Sequence, residues 1–95
     1  MTADEFNKLI TQPQPPAGIH PVLQALWHDA NGQWEQAHEI AQSREGEPPY
    51  DQLHAYLHRK EGDRFNANYW YRRAGEPFFA GSLNEEWAAL VQKYV

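Results

Sequence analysis

Ala25-Leu26-Trp27-His28-Asp29-Ala30-Asn31-Gly32 and Ala55-Tyr56-Leu57-His58-Arg59-Lys60-Glu61-Gly62 lie thirty residues apart and repeat one pattern. Each opens on alanine, carries histidine at its fourth place and ends on glycine. Ala37 and Ala67 follow at matching distances. Small residues on facing sides let two antiparallel helices approach closely, and glycine reaches the backbone conformation a tight turn needs. Each copy therefore reads helix, turn, helix. A hairpin of this kind buries its apolar face only when stacked on a neighbour. The pattern predicts an all-α fold built on two stacked antiparallel helical hairpins.

Working outward, breaks delimit six helices. Pro13-Gln14-Pro15-Pro16-Ala17-Gly18 cannot be helical, because proline fixes φ and restrains the residue before it. Further breaks fall at Asn31-Gly32, Gly46-Glu47-Pro48-Pro49, Glu61-Gly62-Asp63 and from Gly75 to Gly81. Between them apolar residues recur three and four apart, and no stretch alternates as a strand would. The expected helices are Thr2 to Ile10, Pro21 to Ala30, Gln33 to Arg44, Pro49 to Lys60, Asp63 to Ala74 and Leu83 to Tyr94. Thr2 with Glu5, and Ser82 with Glu85, have the spacing of capping boxes. Gly75 suits a left-handed C-terminal cap. The whole chain, 1–95, reads as one domain: an N-terminal helix within 1–12, a proline-rich connector over 13–20, the hairpins over 21–77 and a last helix over 82–95. Two hairpins are fewer than the usual minimum of about three, so the first and last helices are expected to cap the stack.

Composition narrows the function classes. Ninety-five residues carry eight Lys and Arg against thirteen Asp and Glu, a formal charge of −5. That balance argues against a nucleic-acid coat or a binder of acidic membranes. With no cysteine there is no disulfide framework, thiolate metal site or cysteine nucleophile. No apolar run approaches the ~20 residues of a membrane span, and the acidic start lacks the pattern of a secretory signal, so a cytoplasmic protein is expected.

Ala55, His58, Gly62, Ala67, Tyr71, Ala74 and Pro77 follow the small–large spacing of a tetratricopeptide repeat. Asn66 to Gly75 resembles the second helix of the related Sel-like repeats. The earlier copy matches at Ala25, Gly32, Trp34 and Ala37, while Ala41 stands where an aromatic is usual. The stretch His54 to Gly75 is also similar to a group of small uncharacterised bacterial proteins. Over residues 21–77 the resemblance implies a hairpin stack and a protein-binding habit. It implies no catalytic residues.

Two constellations stand out. Asp51, His54, His58 and Glu61 fall within about 80° of arc on the fourth helix. Two imidazoles one turn apart, flanked by carboxylates, suit a divalent transition metal. His28 shares the repeat register of His58 and offers a third imidazole. The competing reading has His58 and His28 filling the seam between hairpins, with His54 and Asp51 an ordinary surface pair. His54-Ala55-Tyr56-Leu57-His58 lacks the glutamate that follows the first histidine in zinc-protease helices.

The second constellation is basic and aromatic: five basic residues from Arg59 to Arg73 face only two acidic ones, Glu61 and Asp63. With Tyr69, Trp70 and Tyr71 these cations could grip an acidic peptide, phosphate or RNA. Against that, the aromatics fill the seam and the arginines reach out past them. Phe78 and Phe79 sit in a loop, where they either anchor a partner or tuck against the stack. No phosphate loop or serine nucleophile elbow is present, so no enzyme is expected. The leading reading is a non-enzymatic protein-interaction adaptor or a subunit that dimerises, with no cofactor. Its partner surface would be the side of the second and fourth helices left open by the stack, through Tyr56, Arg59 and Lys60, with Arg72 and Arg73 drawing an acidic segment. The alternative is metal binding through His54 and His58, with Asp51, Glu61 and His28. The third reading is an acidic ligand or RNA at the arginines.

Overall fold

The computed structural model describes all of residues 1–95 and is entirely helical. The helices are α1 (Ala3–Lys8), α2 (Pro21–Ala30), α3 (Trp34–Gln42), α4 (Pro48–Lys60), α5 (Arg64–Ala74) and α6 (Leu83–Tyr94). Both capping boxes form: Thr2 and Glu5, and Ser82 and Glu85, exchange side-chain and backbone bonds of 3.0–3.1 Å. Four of the six helices end where expected, and α1 and α3 stop two residues early. α1 stops at Lys8 because Leu9 and Ile10 donate to carbonyls only three residues back, tightening the turn before Pro13. α3 stops at Gln42, where the Ser43 hydroxyl turns back onto the Ile40 carbonyl at 2.6 Å. His20 caps α2 with its imidazole, Nδ1 accepting from Val22 N–H at 3.0 Å.

α2 with α3, and α4 with α5, form the two hairpins, and their turns are built alike. Gln33 N–H donates to the His28 carbonyl and Asp63 N–H to the His58 carbonyl, both at 2.9 Å. Between them Gly32 and Gly62 stand at φ 73° and 87°. This is the Schellman closure, which needs a residue at positive φ. The alanines at the seams, Ala25, Ala37, Ala55 and Ala67, are fully buried. Replacing Ala67 with leucine should cost about 1–3 kcal/mol, because three extra carbons must enter an interface that is already closed. Urea denaturation reads it, and an unchanged midpoint would show that α4 and α5 are loosely apposed.

α4 is the hub of the fold. It packs on α5, α3, α2 and α6, and seven of its residues are buried. α6 returns across α2 and α4 and reaches α1, and it meets α5 through the Tyr71–Glu86 hydrogen bond. Indole N–H groups staple the layers: Trp27 donates to Leu9 O and Trp34 to Leu57 O, both at 2.9 Å, and Trp87 to Leu26 O at 3.2 Å. Thirteen buried residues from Phe6 to Val91 form the main core, and Ala55, Ala67, Trp70 and Tyr71 form a smaller one between α4 and α5. Phe78 and Phe79 pack against the smaller core. No helix is long and apolar enough to cross a membrane.

Candidate metal centre

The α4 face carrying His54 and His58 meets α3, and there it meets His38. His54 Nε2 and His38 Nε2 stand 2.9 Å apart. One nitrogen from each of His38, His54 and His58 lies within 4.8 Å of the others. The rings form a packed cluster: His54 stacks on His58 at 4.9 Å, and His38 meets both edge-on at 4.7 and 5.2 Å. An indole closes each side. Trp34 stacks on His38 at 4.6 Å and Trp70 on His54 at 3.9 Å, both within 16° of parallel. Arg73 lies over the Trp70 ring at 5.1 Å.

Burial sets the protonation of the cluster. His54 is buried, and desolvation, followed by repulsion from His38 and His58, lowers its pKa to about 3. His38 is half-buried, and desolvation with repulsion from His58 lowers its pKa too. Both rings are neutral at pH 7, the form that offers a lone pair to a metal. The 2.9 Å contact is then an N–H···N bond between neutral rings. His58 Nδ1 lies 2.5 Å from Glu61 Oε1. A carboxylate on the outer nitrogen fixes the ring and makes the inner nitrogen more basic, as the outer partners of metal-bound histidines do. His54 Nδ1 is buried with no hydrogen-bond partner.

The expected ligand set needs two corrections. Asp51 is buried and its Oδ1 accepts from Gly46 N–H at 2.9 Å, so it braces the α3–α4 loop. His28 sits at the turn of the other hairpin, where Nδ1 meets Gln33 Oε1 at 2.7 Å and the ring stands edge-on to Trp27. Its place beside His58 in the repeat register is one of equivalence, not of proximity. The third imidazole is His38, which the thirty-residue register aligns with Asn68 and so conceals. The available signal was local: His38 stands one turn after Trp34, between the two seam alanines, Ala37 and Ala41, of a helix that must face α4.

The expected partner surface is also rearranged. α6 covers the side of α2 and α4 that was to be open. Tyr56 is buried, its hydroxyl donating to Asp29 Oδ2 at 2.6 Å. Lys60 binds Asp29 Oδ1 at 2.8 Å. Arg59 binds Glu86 at 2.9 Å and donates to the Gly81 carbonyl. Three of the five expected contacts are thus cross-ties of the fold. Arg72 and Arg73 are exposed, and Arg73 is bonded to the Tyr69 hydroxyl at 3.2 Å. Arg64 stacks over Phe78 at 4.2 Å, so the basic run is divided among separate ties.

The fold and its histidine cluster define a six-helix, double-hairpin protein with three convergent imidazoles. Comparison with protein-family models, curated proteins and solved structures finds no match to this chain.

Proposed function

We propose that this chain is a tetratricopeptide-like hairpin protein that holds a divalent transition-metal ion through His38, His54 and His58. The observation that carries the reading is the convergence of three ring nitrogens within 4.8 Å between two stacked indoles. Tetrahedral metal–imidazole bonds of roughly 2.0–2.1 Å place two ligand nitrogens about 3.3 Å apart, so the 2.9 Å pair needs to open by only a few tenths of an ångström. An all-nitrogen set suits Zn, Ni, Cu or Co, and three ligands leave a coordination position for water or a small ligand. Glu61 holds the His58 ring in place. The ion would join α3 to α4, tying one hairpin to the next. The adaptor reading is weaker because Tyr56 and Arg59 are committed inside the fold and Lys60 is tied to Asp29.

Untagged protein should bind one equivalent of Zn, Ni or Cu. Ni or Cu should quench tryptophan fluorescence, since Trp34 and Trp70 lie against ligand rings. At a free-metal concentration one hundred times Kd the fold gains about 2.7 kcal/mol, which chelator removes. His38→Ala should weaken binding by more than about tenfold, whereas His28→Ala should not change it. Binding that ignores His38, or no stoichiometric binding at all, rejects the site.

A further inference from the structure

The histidines use one side of α4. Tyr56 and Lys60 point about 200° round the helix from His54 and His58. There α1, α2, α4 and α6 frame a cleft of about 520 Å³, within the range of small-molecule sites. Its floor is charged. The Asp29 carboxylate is buried, with one oxygen on the Tyr56 hydroxyl and the other on the Lys60 ammonium. The Lys60 end of the pair is open to solvent, so the ion pair adds little to stability. The network therefore invites a role besides stability.

Lys60 is the open end of that network. Its side chain is 40% exposed, and one of its three N–H bonds is spent on Asp29. Two remain for a ligand. Asn7 and Asn84 line the cleft with side-chain amides that make no hydrogen bond within the protein, while Ile10 and the Trp87 ring supply an apolar wall. Asp29 is buried with a donor already on each oxygen, so the group that faces the open cleft is the Lys60 ammonium. One ammonium with two amide donors matches a singly charged carboxylate, whereas a phosphate dianion would call for a second cation.

We infer that this cleft binds a small organic carboxylate with an apolar or aromatic body, the carboxylate on Lys60 and the body against Trp87 and Ile10. Asn7 and Asn84 fix its orientation. The site is independent of the histidine cluster and needs no metal.

The test is titration of the ¹⁵N-labelled, metal-free full chain with benzoate and 3-phenylpropionate, with benzamide as the uncharged comparison. Saturable shifts are expected at the Trp87 indole and the Asn7 and Asn84 amides, with benzamide at least about tenfold weaker. Lys60→Gln should weaken both acids about tenfold or more while Lys60→Arg retains most of the binding. If Lys60→Gln fails to fold, the exposed pair Asn7→Ala with Asn84→Ala serves instead and should weaken binding several-fold. No saturable shift with either acid, equal response to benzamide, or shifts centred on His38 and His54 would overturn the assignment.

Discussion

Replacing Glu86 with alanine should destabilise the protein by about 3–5 kcal/mol, the range for removing one partner of a buried charge pair. Glu86 is buried in the first turn of α6. One oxygen binds Arg59 at 2.9 Å, and the other accepts from the Tyr71 hydroxyl at 2.5 Å. Burial and this bond push the Tyr71 phenol above its ordinary pKa, so it stays a donor. Alanine would leave a guanidinium and a hydroxyl facing apolar surroundings with too few acceptors, since Arg59 keeps only the Gly81 carbonyl. Glu86→Gln retains the shape and one acceptor and should cost less. Replacing Glu86, Arg59 and Tyr71 together with Leu, Met and Phe should recover most of the loss, because no unpaired polar group is then left behind. Urea unfolding of the four proteins reads the series. A loss below about 1 kcal/mol for Glu86→Ala would mean that water already serves these groups and that α6 is held by its apolar stripe alone.

Acid should weaken the metal-free fold well above the range in which carboxylates protonate. The folded pKa of His54 lies near 3, while the unfolded chain takes up its proton near 6.5. Below pH 6.5 the unfolded state therefore binds more protons, and stability falls with pH until the folded ring also titrates near 3. The contribution is complete above pH 6.5. At pH 5 the loss from His54 is about 2 kcal/mol, from 1.5 pH units at roughly 1.4 kcal/mol each. His38, whose pKa is also lowered, adds in the same direction. Chemical denaturation at pH 7.5 and pH 5, in chelator, should show the difference. His54→Phe, which keeps a ring against Trp70, should remove most of it. Equal stability at the two pH values, or a slope that survives the substitution, would show that water reaches the His54 ring. Bound metal should compete with the proton for the same lone pairs and shift the loss to lower pH.

The fold was legible where its causes are local. Two capping boxes, Gly75 and the glycine turns at 32 and 62 act through neighbours in sequence, and each forms as the residues imply. Two of the three imidazoles were legible for the same reason: His54 and His58 share an α4 face by helical geometry alone. His38 was not, because its partners lie on another helix. Ala37 and Ala41 mark the packed side of α3, but nothing in Trp34 to Gln42 states which α4 side chains His38 will meet.

The sequence by itself determined the helices, their turns and the alanine seams that bring paired helices together. Those features rest on hydrogen bonds and steric limits within a few residues. Only the tertiary structure decided that α6 folds back over α2 and α4, that Glu86 meets Arg59 and Tyr71, and that His38 rather than His28 completes the triad. Such pairings join residues 15 to 27 positions apart across packed surfaces. Burial then decides their chemistry, since only a ring removed from water stays neutral well below pH 6.5.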